Sequence, residues 1–550
     1  MQGNPFLARL AGTLLQLMAL SLCGAAVFAQ VPGTTKAAAK EQRVTIRKID
    51  LQGDTLYPQY GITQHFLDTR LDQISEHLGQ QLTIDDMHRF ADAITLMYRE
   101  KGLTFHQAYV EPQEIAGNTL KIHVLAGTLA EVAVYDSELY SAEQLRAPFQ
   151  SLIGQPIYEP ALKEAADTLN AKPGLKVFSF FSMGSRRGES RLNIKVREET
   201  GHTASLTLDN HGLSQTGNNR LLFSYRQNNP FRQSGVFNLA LLTTDERDNL
   251  FGGLAYHAPI TRHQTLGGSL LRSEFAVPDK VTRLGLTGEL NAANLFWSHT
   301  GTARDLTQTQ KLIIASKQTR IDSDLFAGVL DNRVDYTELT GVYQLTYQSS
   351  KTGRHSLSLA PGAGHLHRAD NVTLPDTFWR LNLNYRYLRA YPLAGLDAQL
   401  ATRLTLDGQW TDRDLPSAEK FVTTGANANR GFEAGVFSGD WGATVSLEES
   451  LVQRNGLFGL DAVTALHPFV FIDASTGGKA GENESVRFTS AGLGVRLNRP
   501  LKDGNVPSWV PLEAFSASAS AGYPLDSKVS DQLPEPDQSV TLYASLSVNF

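Results

Sequence analysis

Apolar and polar residues alternate along most of the chain. From Trp379 to Tyr387 every second residue is apolar or aromatic, and the residues between them are arginines and asparagines. Because successive side chains of a strand point to opposite faces, this segment predicts a strand with one aromatic face and one charged face. The same period of two recurs through residues 200–550. A face toward lipid and a face toward a watery lumen produce this pattern, so we predict an antiparallel transmembrane β-barrel.

The length of the barrel region is compatible with about sixteen strands but does not by itself fix their number. A strand that crosses a membrane needs about 9–11 residues, and about sixteen such strands would fill roughly half of residues 200–550. The last strand is predicted from Val540 to Phe550, with an apolar residue at every second position. We expect Phe550 to be the C-terminal signal that barrel proteins offer to the machinery that inserts them. Only 41% of the residues are apolar, which fits because half of each barrel strand faces water.

Residues 44–127 form a first α+β module, with the predicted order β-α-α-β-β. Its second helix is the clearest element, because apolar residues recur at helical spacing. Thr83 can cap its start together with Asp86, and Gly102 can end it. The predicted elements are a strand Val44–Gln52, helices Ile62–Leu78 and Thr83–Lys101, and strands Phe105–Val110 and Thr119–Leu125.

Residues 128–199 repeat this order as a second module of similar size. Modules of this kind expose a sheet edge and a groove that suit an extended peptide, and the alternative is a pair of rigid spacers. The predicted elements are a strand Leu129–Tyr135, helices Ser141–Leu152 and Tyr158–Asn170, and strands Leu175–Phe181 and Arg191–Val196.

The N-terminus predicts a secretory signal peptide over residues 1–29, followed by a short leader over residues 30–43. One arginine precedes an apolar run that ends at Cys23, and Ala29 closes a small-residue cleavage site. The apolar run is too short for a membrane anchor, and a lipoprotein site at Cys23 is disfavoured because bulky Leu22 precedes it. Cys23 is the one cysteine of the chain, so the mature protein has no disulfide and no thiol nucleophile.

Charge and motifs exclude several classes of function. The net charge of −6 argues against a nucleic-acid partner, which requires a basic surface. Lys479 follows a glycine, but Asp473 stands where a phosphate-binding loop needs its first glycine, and metalloprotease and serine-hydrolase motifs are missing from the sequence. We therefore predict no catalytic residue, no cofactor and no metal. We expect the histidines of the first module to be solvated surface residues, because they lack the spacing of zinc ligands: His65, His77, His88 and His106.

Short motifs give the chain a resemblance to a known family. It resembles the TpsB transporters of two-partner secretion, in the superfamily that joins POTRA modules to an outer-membrane barrel. The resemblance covers essentially the whole mature chain. The motifs that match the first POTRA module and the first barrel hairpin are Gly102–Thr104, Ala108–Gln113, Gly117–Leu120, Val124–Gly127, Asp209–Gly212, Thr216–Gly217 and Arg220.

The most specific motifs are Glu419–Phe421 with Asn429–Phe432, and Pro468–Asp473. They resemble the family's long loop, here around residues 415–442, which folds into the lumen with an arginine-glycine-aromatic tip. Asn429 departs from the family, which usually has a valine or a similar residue there. The resemblance implies that the tip arginine meets an inward aspartate. The residues proposed for this site are Asn429, Arg430, Gly431 and Phe432 in the loop, and Phe471 and Asp473 on the partner strand.

Physical reasoning alone leaves the loop arginine open between two interpretations. A guanidinium inside a barrel is well matched by a carboxylate, so a pair between Arg430 and Asp473 is plausible. Phe471 and Asp473 share a face by the period of two. In the alternative, Arg430 faces lumen water, as we expect of Arg380 and Arg386.

The resemblance implies a secretion pore in the outer membrane of a Gram-negative bacterium. Its POTRA modules would bind a TpsA-like passenger protein in the periplasm, and passage would need no nucleotide hydrolysis. The passenger could be an adhesin, a haemolysin or a contact-inhibition toxin. Periplasmic chaperones, barrel-insertion machinery and outer-membrane lipid are the other expected partners. We expect no full plug helix, because residues 30–42 are too few for a helix and its linker.

Three other functions compete with secretion. A factor that assembles other barrels into the membrane usually has more POTRA modules than the two predicted here. A passive porin does not need periplasmic modules or an inward loop. An enzyme is the weakest alternative, because no pattern of catalytic residues is visible in the sequence.

Overall fold

The computed structural model describes residues 43–53, 55–74, 79–245, 249–277, 284–395, 398–453, 465–501, 513–530, 533 and 535–550. The predicted signal peptide and almost all of the predicted leader lie outside these residues. The chain divides into two compact units. The first contains the chain up to residue 128 with residues 156–159 and 186–189, and the second contains the remainder up to residue 550.

The first unit is an α+β module built on a three-stranded sheet. The strand order is β2-β5-β4, with β2 parallel and β4 antiparallel to the central strand. The elements are β1 (Val44–Thr45), β2 (Lys48–Gly53), α1 (Gln64–Ile74), β3 (Gln81–Leu82), α2 (Ile84–Glu100), β4 (Gln107–Tyr109) and β5 (Thr119–Leu125).

The predicted strand Val44–Gln52 is in fact two strands with different partners. β1 pairs with β3, whereas β2 pairs with β5. The change of partner occurs at Ile46 and Arg47, because the Ile46 carbonyl accepts a hydrogen bond from the amide of Gly79 and the Arg47 amide donates to Asn118. Ile46 itself is fully buried.

Helix α2 supplies much of the core of the first unit. It begins as predicted, because Thr83 and Asp86 form a capping box. The buried stripe of α2 includes Met87, Phe90, Ile94 and Tyr98. The sheet contributes buried Leu120 and Ile122 to the same core.

Of the four histidines predicted to be solvated, His77 lies outside the described residues and His106 corrects the prediction. Its side chain is fully buried in the first unit. It packs between two tyrosine rings, with ring centroids 4.9 Å from Tyr57 and 5.3 Å from Tyr98. The prediction for His106 was wrong because ring packing, which no spacing rule reveals, places this histidine in the core.

The second unit begins with another three-stranded sheet, in the order β6-β8-β7, so that β7 is an edge strand. The predicted helix Ser141–Leu152 is only partly α-helical. It changes to a 3-10 helix over Ala147–Leu152, where Pro148 cannot donate a backbone hydrogen bond. The elements are β6 (Thr128–Tyr135), α3 (Ala142–Arg146), α4 (Glu159–Asn170), β7 (Leu175–Met183) and β8 (Glu189–Glu199).

Over the described residues, sixteen antiparallel strands close into a barrel, which confirms the predicted fold class and strand number. The last strand pairs with the first, for example Leu546 with Leu208. The strands are β9 (His202–Asp209), β10 (Arg220–Asn228), β11 (Val236–Thr244), β12 (Asn249–Pro259), β13 (Gln264–Ala276), β14 (Leu286–Ala303), β15 (Leu306–Ser323), β16 (Asn332–Ser349), β17 (Gly353–Asp370), β18 (Thr377–Pro392), β19 (Ala398–Trp410), β22 (Trp441–Gln453), β23 (Ala465–Gly478), β24 (Ser485–Pro500), β25 (Ala514–Val529) and β26 (Thr541–Asn549). Two short strands, β20 (Phe421–Val422) and β21 (Ser438–Gly439), pair with each other outside the barrel sheet.

The two faces of the barrel strands differ as the alternation predicts. Polar residues of β18 bond across the lumen face, where Arg380 pairs with Glu338 and Asn382 donates to Gln409. The expectation that Arg380 simply faces lumen water was therefore wrong, because carboxylates of the folded barrel pair with it. Large apolar residues are exposed on the other face of the wall, among them Leu295, Ile314, Val470, Ile472, Leu493 and Leu542. In the part of the chain that the structure describes, every helix is too short or too polar to cross a membrane.

Candidate functional site

A long loop between β19 and β22 enters the barrel lumen. Its two limbs are joined as a ribbon by the pairing of β20 with β21, and the Thr423 amide and hydroxyl both donate to the Phe437 carbonyl. Gly425 and Gly435 have φ angles of +123° and +73°, a region that favours glycine. These two glycines border the tip of the loop, residues 426–434.

Arg430 at this tip is fixed by Asp473 of β23. Nε donates to Oδ2 at 2.8 Å and Nη2 donates to Oδ1 at 2.9 Å, which is the two-bond geometry of a strong arginine–carboxylate pair. The backbone amide of Arg430 also donates to Asp473 Oδ2 at 3.0 Å. Asp473 is fully buried and Arg430 is 9% exposed. The structure therefore brings together the two residues that the resemblance pairs, and it does not place Arg430 in lumen water.

Neighbouring strands complete the surroundings of the guanidinium. Arg430 Nη1 donates to Glu448 of β22 at 2.9 Å, and Nη2 donates to the Ser446 hydroxyl at 2.9 Å. The guanidinium carbon lies 3.6 Å from the centre of the Phe471 ring, as in a cation–π contact. Glu448 also accepts two bonds from Arg496 of β24, at 2.6 and 2.7 Å. Each charged group of this cluster thus has a partner of opposite charge.

Sequence reasoning missed three residues of this cluster: Ser446, Glu448 and Arg496. The alternation along β22 puts Ser446 and Glu448 on the same face, which was available from the sequence. The neighbour of Glu448 on the adjacent strand was not available from the sequence. The register of the folded barrel pairs Glu448 with Phe471. The contact with Arg430 depends on that register, since β22 and β23 lie side by side.

Asn429 replaces the usual apolar residue of the family motif with two specific hydrogen bonds. Its Oδ1 accepts from the Ser490 hydroxyl at 2.6 Å, and its Nδ2 donates to the Phe488 carbonyl at 3.1 Å. Both partners belong to β24. Because Asn429 is fully buried, these bonds satisfy polar atoms that would otherwise destabilise the docked tip.

Gly431 and Phe432 complete the contact of the tip with the wall. A Cβ on Gly431 would lie 2.2 Å from the Ser490 Cβ, so only glycine fits this close approach. The Phe432 ring is buried, with its centroid 4.8 Å from that of Phe488, and its carbonyl accepts from the Tyr543 hydroxyl at 2.8 Å. The whole tetrad Asn429–Phe432 is therefore docked on the barrel wall.

Phe550 lies at the seam where the barrel closes. Its amide donates to the Ala204 carbonyl at 2.8 Å, and the Ala204 amide donates to the Phe550 carbonyl at 3.1 Å. These bonds extend the pairing of β26 with β9. The role of Phe550 as an insertion signal stays a prediction.

Among the residues that the structure describes, no group of three or more histidine, cysteine, aspartate or glutamate side chains is arranged to hold a metal ion. The charged groups around Arg430 are paired with each other. This arrangement fixes a loop conformation.

Two family models match the chain. The model described as "Haemolysin secretion/activation protein ShlB/FhaC/HecB" matches residues 188–497, which is more than half of the chain. The model described as "POTRA domain, ShlB-type" matches residues 44–127. The first covers most of the barrel and the loop, and the second coincides with the first α+β module.

Relatives and solved structures agree with these matches. Heme/hemopexin transporter protein HuxB of Haemophilus influenzae (strain 86-028NP) is 22% identical over 386 residues, which cover 68% of this chain and 67% of HuxB. Outer membrane transporter CdiB of Escherichia coli O6:K15:H31 is 23% identical over 504 residues, which cover 87% of this chain and 79% of CdiB. The solved structure of CdiB from Escherichia coli is similar with a TM-score of 0.63 at 19% identity, over 100% of this chain and 99% of that one. At this identity the structural likeness concerns the fold.

Proposed function

The chain belongs to the haemolysin secretion/activation protein family ShlB/FhaC/HecB, and from this premise we propose that it secretes one dedicated partner protein through its barrel. As in its family, it is an outer-membrane barrel with a periplasmic POTRA module, of the class that exports a partner protein. The family is one of transporters and not of enzymes. The finer proposal is that the passenger crosses the lumen in extended form, without nucleotide hydrolysis, and folds at the cell surface.

The docking of Arg430 inside the lumen is the observation that carries this proposal. A loop that occupies the lumen of a transport barrel has to move before an extended polypeptide can pass. Its docked position is specified by buried charges, and removing one partner of such a pair leaves the other charge uncompensated at a cost of about 3–5 kcal/mol. We therefore propose that the docked tip is the resting state and that the arriving passenger displaces it.

The edge of the second α+β module offers a place to receive the passenger. Among the strands that the structure describes, β7 pairs with β8 and lies at the edge of its sheet, and exposed edges of sheets can bind an extended chain as an added strand. Phe178 and Phe180 on this strand are 46% and 48% exposed, and their rings stack with centroids 6.1 Å apart. We propose that backbone pairing with β7 holds the passenger and that these two rings bind its apolar side chains.

Folding of the passenger outside the cell would give the transport its direction, because a folded chain cannot slide back. The passenger is proposed to be an adhesin, a haemolysin or a contact-inhibition toxin. The relative HuxB is named a heme/hemopexin transporter protein. Exported proteins that bind heme or hemopexin are therefore further candidates for the passenger. A passenger variant that cannot fold at the surface is expected to be exported more slowly, and export at the normal rate would remove this source of direction.

Quantitative proteomics of the culture medium, cell surface and outer membrane, with and without this gene, tests the proposed function. We expect the loss of one large exported polypeptide while other barrel proteins stay unchanged. A broad loss of barrel proteins would instead identify an assembly factor. A strain that carries Arg430→Ala in place of the natural residue provides the comparison, because it keeps the barrel and removes the side chain of the tip.

A further inference from the structure

A second buried ionic cluster holds the base of the lumen loop. Glu419 lies in the first limb of the loop, between β19 and β20, and is 5% exposed. One of its carboxylate oxygens accepts from Lys317 Nζ at 2.5 Å and from the Tyr336 hydroxyl at 2.6 Å, and the other lies 2.8 Å from Arg380 Nη2. The three partners belong to β15, β16 and β18, so this cluster lies on a different part of the wall from the cluster around Arg430.

Around this cluster the barrel wall alone has one positive charge more than its negative charges. Lys317 and Arg380 both bond to Glu338 of β16, with distances of 2.9 Å from Lys317 and 2.7 Å from Arg380. Two cations then share one buried anion, and Glu419 supplies the second anion. Removing Glu419 would leave an uncompensated positive charge in a buried site, which is costly. The loop carboxylate and the wall are therefore complementary in charge.

Backbone and apolar contacts strengthen the same base. The Gln409 side chain donates to the carbonyls of Glu419 and Asp440, at 2.8 and 3.0 Å, and so joins both limbs of the loop to β19. Asp440 accepts from the amides of Leu415 and Ala480, at 2.9 and 3.0 Å. The Leu415 side chain is buried in an apolar cluster with wall residues Val334, Tyr336, Leu366 and Phe378.

The tip is attached differently. Its contacts with the wall are made by the tetrad Asn429–Phe432, and left-handed glycines border it at Gly425 and Gly435. We propose that Glu419 is the pivot of the lumen loop. Its bonds with Lys317, Arg380 and Tyr336 stay formed while the Arg430 tip leaves the wall. Glu419 thereby sets the position to which the tip returns. Glu419 is thus a positioning residue for the gate. This inference rests on the proposed closure of the lumen by the loop.

Two reporter thiols test the pivot on the resting barrel. Ser490→Cys introduces a thiol behind the tip, where Ser490 is fully buried against Asn429, and Val334→Cys introduces one in the apolar cluster at the base. Cys23 is the chain's one natural cysteine and lies in the predicted signal peptide. Labelling of intact cells with a maleimide that does not cross membranes then reports the tip and the base separately. It needs no passenger, so its result is independent of the secretion experiment.

Arg430→Ala is expected to raise labelling at position 490 about tenfold or more and to leave position 334 unchanged, because only the tip is released. Glu419→Gln is expected to raise labelling at both positions by a similar factor, because the pivot itself is lost. Glu433→Gln is the matched control, since Glu433 is an exposed carboxylate of the same loop, and it should change neither. Equal exposure of both positions by Arg430→Ala, or a protected position 490 in Glu419→Gln, would overturn the pivot.

Insertion of each variant is checked by the heat-dependent mobility of the folded barrel on a gel. If Glu419→Gln does not insert, Tyr336→Phe replaces it, because this variant removes one bond to Glu419 and keeps all four charges. We then expect labelling at both positions to rise about tenfold or more, the effect of losing one hydrogen bond to a charged group. Unchanged labelling at position 490 in that variant would contradict the proposal.

Discussion

Arg430 and Asp473 form an ion pair inside the barrel in which three hydrogen bonds converge on one carboxylate. The guanidinium supplies two, at 2.8 and 2.9 Å, and the Arg430 backbone amide supplies the third at 3.0 Å. The hydrogen bond from the backbone amide fixes the backbone, and the two from the guanidinium fix the side chain. The pair therefore specifies the conformation of the tip. A point charge on a flexible side chain could not do this, because lysine lacks the planar fork of arginine.

Arg430→Ala is expected to abolish secretion or to reduce it strongly while the barrel still inserts. The variant leaves Asp473 and Glu448 without the guanidinium between them, so the tip loses its docked position. Arg430→Lys should retain only part of the activity, because it keeps the charge and loses the two-bond geometry. Secreted passenger is measured in the medium, and insertion by the amount of folded barrel in the outer membrane.

Arg386→Ala is the control for a loss of positive charge on the barrel wall. Arg386 is an exposed residue of β18. This variant should secrete at the normal level. Equal losses in Arg386→Ala and Arg430→Ala would show that charge matters and the docked tip does not.

The two carboxylates around Arg430 should differ in importance. Asp473 accepts three bonds from Arg430, whereas Glu448 accepts one and is also held by Arg496. We therefore expect Asp473→Asn to reduce secretion more than Glu448→Gln. Secretion assays and conductance of the purified barrels in planar bilayers measure the effect. The reverse order would place the main anchor of the tip on β22 instead of β23.

Part of this site could be predicted from the sequence because its residues lie in short motifs. Asn429–Phe432 and Phe471–Asp473 stand in local patterns, and the period of two puts Phe471 and Asp473 on one face. Lys317 contacts the loop from a strand that is distant in the sequence, whereas Glu448 lies on the strand that directly follows the loop. Both contacts depend on strand registers that the closed barrel sets. One sequence contains the alternation of each strand but not the relative register of its neighbours, so these partners could not be predicted.

Phe178 and Phe180 are expected to bind the passenger. The double variant Phe178→Ser, Phe180→Ser removes two exposed rings from the edge strand β7 and leaves its backbone available. Because burial of one phenylalanine contributes about 1.5–3 kcal/mol, affinity for the passenger's N-terminal segment should fall at least about tenfold. Binding of that segment to the full-length barrel is measured by titration, and secretion is measured in parallel.

Met183→Ser is the matched control for this edge. Met183 belongs to the same strand and is 93% exposed, at the end away from the two rings. It should bind the passenger with nearly unchanged affinity. An unchanged affinity in the double phenylalanine variant would remove the rings from the binding site, while a loss in both variants would extend the site to the end of β7.

The fold was predictable where a pattern is local and regular. Helix α2 follows its apolar spacing and its capping residues, and the barrel follows the alternation. The split of the predicted strand Val44–Gln52 was not predictable, because it depends on bonds from Ile46 and Arg47 to residues far along the chain. The burial of His106 could not be predicted for a similar reason, since Tyr57 and Tyr98 contact it only in the folded core.

The capping box of helix α2 should make the first module sensitive to acid. The Thr83 amide and hydroxyl donate to Asp86 at 2.9 and 2.8 Å, and these bonds, the backbone one first, lower the pKa of the Asp86 carboxyl below its ordinary value of 3.8. A carboxyl with a lowered pKa in the folded state stabilises the fold above its unfolded pKa, and this stabilisation is lost as the pH falls through the folded pKa. The start of α2 should therefore loosen below about pH 4.

Amide hydrogen exchange of the full-length protein, expressed as protection factors of the first turn of α2, measures this loss. Thr83→Ala should lower protection at neutral pH about fivefold, which corresponds to about 1 kcal/mol for a lost N-cap. Asp86→Asn should lower it as well and should flatten its dependence on pH, because the titrating group is gone. Asp85→Asn, which changes the neighbouring exposed carboxylate of the same turn, should keep that dependence. If the pH dependence survived in Asp86→Asn and disappeared in Asp85→Asn, the acid sensitivity would belong to Asp85. That outcome would refute the role of the capping box.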